Sequence, residues 1–407
     1  VAGISLGDAE AIAGGTVEAF VGAPVGRAVG GSDDGVIDID EPVTINAWSD
    51  LNANALLSKL NASLSVTVND LTTNARVTGM TRAFFGQGGD LLVPGLTIMA
   101  DGDYDAVGET NVVSIAGIVG VSDLTANATV SGTVDAHAGA GAKTTPSDDI
   151  GKIDLGGGTL SITANGNMLA KPDLLNASIS SLADVGIVGM NATVNGVVRG
   201  YIGEGMDVDA GNVNVTATAP QMEAKSDLFS LSLAGAASVS SVTSSATSSG
   251  VVEAYIGANA ADAAHNVTTD VDVGTTGTIN VFTDAFMKAD ANVDGGGFGG
   301  GLQLSLYEVT ATVSGRVSSY VRDGVDLDAG ILNVKAGVDG SDRVTMLATA
   351  HSTAGNVSLG AAVQDIAPTA NVTGVVEAFI GAPAEIDAGG SADANITVSN
   401  SPLNVLA

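Results

Sequence analysis

The 407-residue sequence predicts an all-β protein, a parallel β-solenoid (β-helix) of seven imperfect repeats of about 59 residues in which long and short coils alternate. Three observations lead to this prediction. An eight-residue marker recurs seven times, residue type alternates along it, and one charged position changes sign from copy to copy. Because the markers run along the whole chain, we expect residues 1–407 to form one continuous solenoid.

The marker is clearest at residues 250–257, where it reads GVVEAYIG. Its copies span residues 15–22, 79–86, 132–139, 196–203, 250–257, 315–322 and 374–381. Successive first glycines are 64, 53, 64, 54, 65 and 59 residues apart, so longer and shorter coils alternate. A sustained period of this length is typical of repeat proteins whose units contact only their neighbours.

Residue type alternates along the marker, as it does in a β-strand whose side chains point in turn to opposite faces. One parity is small and apolar, and it is expected to face the core: the residue four before the first glycine is alanine in all seven copies. The other parity holds a ring column and a charged column. The ring column is Phe20, Phe84, His137, Tyr201, Tyr255, Tyr320 and Phe379; the charged column is Glu18, Arg82, Asp135, Arg199, Glu253, Ser318 and Glu377.

Acid and base alternate through the first five copies of the charged column. Like charges directly opposite one another destabilise a sheet, so the alternation predicts that successive copies lie side by side in register. Separate bead-like domains would place no such demand on neighbouring copies. We expect the charged pairs to be exposed and worth only ~0.2–1 kcal/mol each, with ~0.5–1.5 kcal/mol for each ring contact. Backbone pairing and an Ala/Val core must then hold the stack.

The rest of each repeat also reads as strand. After the marker comes a corner that is long at residues 23–42, 140–157 and 258–277 and short at residues 204–211. A second strand follows, as at residues 96–100 and 160–164, and then a block of 30 residues with a third strand, as at residues 61–68 and 230–234. We therefore expect three main strands per coil. Only residues 50–60 hint at a helix.

A second arrangement divides each repeat into three thinner coils of about 20 residues. The two arrangements differ in the separation of Tyr201 and Tyr255. These residues lie on adjacent strands, ~4.8 Å apart, if one marker makes one coil, and about three times as far apart otherwise.

Composition narrows the classes of partner. The chain has 14 Lys+Arg against 45 Asp+Glu, a formal charge of −31, so nucleic acid is not an expected partner. There is no cysteine, which excludes disulfides and thiolate metal sites. No apolar run approaches ~18 residues, so membrane insertion is not expected. The chain starts within a repeat, which predicts a segment of something longer whose strand edges meet further repeats or other copies of itself.

The order of a Gly/Ala-rich strand, an Ala-Tyr-Ile-Gly strand end, a Val-Asp-Ala-Gly turn and an Asn-Val-Thr-Val-like strand resembles the repeat regions of large bacterial surface proteins of the filamentous haemagglutinin and leukotoxin-like adhesin type. The resemblance covers essentially the whole chain. It implies a β-solenoid shaft, a location outside the cell or on its surface, and a role in adhesion or as a structural filament. The chain lacks that family's N-terminal secretion domain.

No residue set predicts catalysis. The three histidines are His137 in the ring column, His265 in a corner and His351 at a strand start, and no two share a motif. A β-helical polysaccharide lyase or hydrolase would need paired acids gathered in one groove, whereas the acids here are spread over every coil. The sequence therefore predicts a non-enzymatic extracellular structural protein, an adhesin shaft or filament subunit, that requires no cofactor.

Acidic corners are the remaining candidate for a site. They place carboxylates one or two residues apart beside glycine, a pattern that could supply oxygen ligands for calcium but is also what turns are made of. The candidate calcium ligands are Asp33, Asp34, Asp101, Asp103, Asp105, Asp148, Asp149, Asp207, Asp209, Asp326 and Asp328. The alternatives to a structural role are a calcium-stabilised repeat protein and a module that binds glycan or another surface through an exposed Thr/Ser and aromatic ladder. Covering of that ladder would favour the structural role.

Overall fold

The structure, a computed structural model, describes residues 2–22, 35–86, 89–139, 151–259, 268–322, 324–337, 344–381, 395–399 and 403–407. Within these ranges the chain forms 29 strands and no helix. The strands make four parallel sheets, three of seven strands and one of eight, in which seven strands follow the main path and one lies off it. Each sheet takes strands from successive repeats in order. The all-β, parallel part of the sequence-based prediction is thus confirmed, and the topology fits a β-solenoid.

The strands are numbered in chain order and the sheets from 1 to 4. Sheet 1 holds β1 (Gly3–Ala13), β5 (Val66–Val77), β9 (Val119–Val130), β13 (Ala183–Val194), β17 (Ala237–Ser248), β21 (Leu302–Val313) and β26 (Ala361–Val372). Sheet 2 holds β2 (Thr16–Val21), β6 (Met80–Phe85), β10 (Thr133–Ala138), β14 (Val197–Ile202), β18 (Val251–Ile256), β22 (Arg316–Val321) and β27 (Val375–Ile380).

Sheet 3 holds β3 (Gly35–Asp38), β7 (Gly89–Leu92), β11 (Lys152–Asp154), β15 (Asp207–Asp209), β19 (Thr269–Asp272), β23 (Val325–Ala329) and β28 (Asn395–Val398). Sheet 4 holds β4 (Val43–Ser63), β8 (Leu96–Ala116), β12 (Thr159–Ser180), β16 (Asn212–Ala234), β20 (Thr278–Gly299), β24 (Ile331–Ala336) and β29 (Leu403–Leu406). In addition β25 (Thr345–Ser358) pairs with the second half of β20.

One repeat visits the four sheets in turn. A 12-residue strand of sheet 1 bends at the first marker glycine into a six-residue strand of sheet 2, and a short strand of sheet 3 leads to a strand of sheet 4 with 21 to 23 residues in β4, β8, β12, β16 and β20. The expected three main strands are therefore four. Tyr201 pairs directly with Tyr255, so the arrangement in three thin coils is wrong.

The long strands correct two local predictions. Residues 50–60, which hinted at a helix, lie inside β4, because pairing with β8 and burial of Ala53 and Ala55 outweigh local helix propensity. Residues 61–68 are not one strand: β4 ends at Ser63, the chain turns at Leu64 and Ser65, and β5 begins at Val66. The predicted second and third strands of a repeat are thus the beginning and end of a single long strand.

Sheet 4 packs face to face on sheets 1 and 2, and the core lies between these layers. Inward residues are mostly Ala, Val, Ile and Met; Ala75, Ala128, Ala192, Ala246 and Ala311, all from the marker alanine column, are at most 2 % exposed. This confirms the inner face predicted for the central coils. Small side chains suffice because the two layers are close and each is a regular sheet.

A large side chain of sheet 4 occupies the bend behind six of the seven first marker glycines, all except Gly15. A Cβ on Gly250 would lie 2.2 Å from the Met222 methyl carbon, and one on Gly196 would lie 1.9 Å from the Met168 sulfur. The same place is taken by Leu51 at Gly79, Tyr104 at Gly132, Met287 at Gly315 and Met346 at Gly374. These six large residues pair in one column along sheet 4. The marker glycine is therefore required for space.

Candidate functional site

The ring column forms one continuous stack on the outward side of sheet 2. Phe20, Phe84, His137, Tyr201, Tyr255, Tyr320 and Phe379 pair in register. Neighbouring ring centroids are 4.6 to 5.1 Å apart, and neighbouring ring planes differ by 0 to 10°. In-register strand pairing imposes this spacing, because it places equivalent residues of successive coils one strand apart.

Most of the stack is buried, although its side chains point away from the core between the layers. Phe84 and Tyr320 are 0 % exposed, His137 and Tyr255 are 1 % exposed, and Tyr201 is 7 % exposed, whereas Phe20 in the first coil is 45 % exposed. The ladder is thus covered in the central coils, and its rings present no open aromatic surface there.

The charged column lies beside the ring stack and is paired in the register that its alternating sign predicts. Arg82 lies between Glu18 and Asp135, with nitrogen to oxygen distances of 3.3 and 3.8 Å. Arg199 pairs with Asp135 in the strand register, and its Nε donates to Glu253 Oε2 at 3.0 Å. In the sixth copy the column has Ser318 where a base is expected, and Arg316, two residues earlier on the same strand, forms an ion pair with Glu377 of the next coil.

Two of these acids are buried, so the expectation of exposed pairs is wrong for them. Asp135 is 7 % and Glu253 is 4 % exposed. Burial raises the pKa of Asp135 although Arg199 and Arg82 oppose the shift, whereas burial alone would lower the pKa of Arg199, which the Glu253 and Asp135 carboxylates raise. Both pKa values are raised, for different reasons: burial outweighs the two arginines at Asp135, and the two carboxylates outweigh burial at Arg199. The pairs are therefore needed to compensate buried charge.

His137 is a structural member of the ring stack. Burial lowers its pKa to about 3, and its ring Nδ1 lies 2.7 Å from the Gly139 carbonyl oxygen, which accepts a hydrogen bond from the neutral imidazole. His351 is exposed on β25, and His265 lies outside the described residues. The two described histidines are far apart in the sheet order and share no site.

The candidate calcium ligands that lie in the described ranges form two groups. Asp101, Asp103 and Asp105 point outward from the middle of strand β8, so their predicted place in a corner is wrong; the long strand of sheet 4 extends through them. Burial raises the pKa of Asp103, and Asp50 and Asp101 add to the rise. The pKa of Asp105 is raised by burial and by Asp103 and Asp50.

The second group lies on sheet 3, where carboxylates of successive coils pair directly. One column is Asp207, Asp270 and Asp326, and the next is Asp209, Asp272 and Asp328. Asp272 also accepts a hydrogen bond at 2.8 Å from the backbone amide of Gly274, an ordinary turn contact. Asp33, Asp34, Asp148 and Asp149 lie outside the described residues. In the described ranges no group of three or more His, Cys, Asp or Glu could hold a metal ion. Calcium binding stays a prediction.

Sequence reasoning missed a polar interior near the turns that join sheet 4 to sheet 1. Asp184 is 1 % exposed and accepts hydrogen bonds from Ser178 Oγ at 2.5 Å and from Ser232 Oγ. Burial raises the pKa of Asp184, and these two hydroxyls partly oppose the rise. A Cβ on Gly120 would lie 2.4 Å from Asp184 Oδ1, so the carboxyl fills space that a glycine leaves. The alternation of Ser with Leu along β16 could have indicated this interior.

A pocket opens on the outer face of sheet 4. It has a volume of about 330 Å³ and is lined by Thr216, Asn280, Val281, Phe282, Asn333 and Lys335. Its two asparagines belong to a ladder in which Asn280 Nδ2 donates to Asn214 Oδ1 and Asn333 Nδ2 donates to Asn280 Oδ1, both at 2.8 Å. Amides, a ring and an ammonium group together can contact a polar ligand such as a sugar.

The described residues include no helix long and apolar enough to cross a membrane. No protein-family model matches the chain, and no curated protein or solved structure is significantly similar to it.

Proposed function

We propose that the chain is a β-solenoid of about 59 residues per coil and that it serves as a non-enzymatic structural protein outside the cell, as an adhesin shaft or a filament subunit. The observation that carries the proposal is the burial of the ring ladder in the central coils, together with the pairing of the charged column between coils. Side chains that could otherwise bind a ligand instead contact the neighbouring coil. Tyr201 stacks on Tyr255, and Arg199 forms an ion pair with Glu253.

Edge pairing supports the expected partners. Sheet 1 ends on β1 and β26, and each has one strand edge without a partner among the described residues. Such edges accept further strands in register. The proposed occupants are further repeats of a longer chain or other copies of this one, which in either case lengthen the shaft.

Two measurements test this proposal. We expect electron microscopy of the purified protein to show straight rods, and X-ray diffraction from oriented rods to show the ~4.8 Å spacing of strands along the rod axis. Antibody raised against the chain should label intact cells of the organism that carries it or detect the chain in the medium. Compact globular particles, or a chain confined to the cell interior, would contradict the proposal.

A glycan-binding module is the second candidate, and the pocket beside Phe282 favours it. Phe282 and Lys335 pair directly across β20 and β24 and flank the asparagine ladder. If the chain binds glycan there, a panel of immobilised polysaccharides should retain the wild type and release Phe282→Ala. Equal retention of both proteins, or of neither, would reject this site.

A further inference from the structure

At one edge of the layered structure, where the chain turns from sheet 4 to sheet 1, buried residues are polar and exposed residues are apolar. Inside, the residues are polar: Ser178, Asp184, Ser232 and Ser238 lie in one buried hydrogen-bonded group. Elsewhere in the core the inward residues are mostly Ala, Val, Leu, Ile and Met. The outward residues change in the opposite sense at the same edge.

We define the rim as the outward residues 177 and 179 of β12 and 183 and 185 of β13, with their register partners in the other coils. Every one of these residues is Ala, Gly, Val, Ile, Leu or Phe. The column of Ile179, for example, continues as Ile115, Leu233, Phe298 and Val357. Leu182, in the turn between the two strands, is 51 % exposed.

The rim columns are apolar in every coil that contributes to them, whereas the turns between them also hold Ser65 and Ser181. Ile115 and Ile179 are both 44 % exposed, and Val357 in the last coil is 58 % exposed. Strands ~4.8 Å apart over six coils make a length of roughly 24 Å, and two columns on each side of a ~10 Å thick edge make a width of roughly 25 Å. The apolar surface is then on the order of 600 Å², at the upper end of the exposed patches found on proteins that stay monomeric.

We propose that the rim is an interface through which two copies of the chain pair side by side. The area carries this choice of partner, because a stable protein–protein interface takes roughly 600–1,000 Å² from each copy. Charge supports it as well. The rim has no charged residue, so it is a place where two chains of formal charge −31 can approach without placing carboxylates against each other.

Charge also argues against a lipid surface as the occupant. The rim contains no Lys or Arg to attract anionic headgroups and no Trp or Tyr to sit at the membrane interface. Side-by-side pairing is distinct from end-to-end extension through open strand edges, and it holds whether or not the chain has further repeats.

The test replaces rim side chains that point away from the core. We expect sedimentation of the wild type to show a dimer at micromolar concentration, and Ile179→Ser with Leu182→Ser to raise the dimer dissociation constant at least ~10-fold. The matched control is Trp48→Ser, because Trp48 is 62 % exposed but lies on the outer face of sheet 4 away from the rim. Circular dichroism should show unchanged strand content in all three proteins.

A second readout uses the absence of cysteine. Under mild oxidation Leu182→Cys should form a covalent dimer faster than Trp48→Cys. A wild type that sediments as a monomer at tens of micromolar, or a dimer that the rim substitutions leave unchanged, would overturn the proposal. Flotation of a monomeric wild type with phosphatidylcholine vesicles, lost in the rim variant, would assign the rim to lipid.

Discussion

The Nε atom of Arg199 lies 3.0 Å from Oε2 of Glu253, whose side chain is 5 % exposed, while a third of the Arg199 side chain remains exposed. Arg199 also faces Asp135 in the preceding coil. The guanidinium group therefore compensates two buried acids from a partly solvated position. Removal of its charge would leave both acids without that compensation.

We expect Arg199→Glu to lower the free energy of unfolding by about 3 kcal/mol, because three acids would then stand in one largely buried column. The value is at the low end for broken buried pairs, since Arg199 itself is partly exposed. Urea unfolding would measure it. Lys152→Glu is the control, because Lys152 and Asp207 form an exposed pair at 3.9 Å, and it should cost less than ~1 kcal/mol. Equal costs would show that the column is not electrostatically buried.

Ala192 and Thr193 are neighbours on β13 but face opposite sides of the sheet, so replacement by Glu should strongly destabilise one variant and leave the other nearly unchanged. Ala192 is 1 % exposed and faces the core, so Ala192→Glu should prevent its coil from folding. Thr193 faces outward between Thr129 and Thr247, so Thr193→Glu should change the unfolding free energy by no more than about 0.5 kcal/mol. Circular dichroism and urea unfolding would compare them. If both variants melt alike, the inner and outer faces are assigned wrongly.

The stability cost of placing a side chain at Gly250 should depend on whether Met222 is present. Gly250→Ala would push a methyl group against Met222 and the Gly196 carbonyl, at a cost of roughly 1–3 kcal/mol. Met222→Ala alone should cost about 2–5 kcal/mol through a cavity, and the double variant should cost less than the sum. Gly15→Ala is the control, because nothing lies within 4 Å of a Cβ there. Strict additivity in thermal or urea unfolding would refute the packing explanation.

His137 should make the fold sensitive to acid. Its folded pKa of about 3 is below the ~6.5 of an unfolded histidine, so its contribution is present above pH ~6.5 and is lost as pH falls toward 3. Between pH 7 and pH 4 the wild type should therefore lose about 3 kcal/mol that His137→Phe retains. At pH 7 the variant lacks only the bond to Gly139, worth ~1 kcal/mol. The free energy of unfolding, measured across this pH range for the wild type and His137→Phe, tests the prediction. His351→Phe is the control, because His351 is exposed. Parallel curves for wild type and His137→Phe would contradict the prediction.

Asp184 should give stability a pH dependence opposite to that of His137. Burial raises its folded pKa above the ~3.9 of an unfolded aspartate, so its contribution is fully present below pH ~4 and is lost as pH rises through the folded pKa. We expect Asp184→Asn to gain stability relative to the wild type from pH 4 to pH 7. Ser178→Ala, which removes a hydrogen bond to Asp184, should instead lower stability at both pH values. A stability difference for Asp184→Asn that does not change with pH would argue against a raised pKa.

Much of sheets 1 and 2 could be predicted from the sequence, because in-register pairing of strands places equivalent residues of successive repeats in one column. The alternation of Glu18, Arg82, Asp135, Arg199 and Glu253 indicates pairing between neighbours, and the pairing places each residue opposite its equivalent. The marker alanines predict an inner face for the same reason. Both signals are local in the repeat, so a single sequence contains them.

The residues that pack on a strand from another layer are distant in the sequence, so only the tertiary structure identifies them. The glycine of the marker is explained by Met222 and its equivalents in another layer, about 30 residues away in the chain. The burial of Asp135 and Glu253 follows from what covers sheet 2, which their own strand does not encode. The serines of the predicted strand at residues 230–234 enclose Asp184, because the choice of inner face there depends on how sheet 4 meets sheet 1. Parity in a sequence separates two faces of a strand, but packing between layers determines which of them meets water.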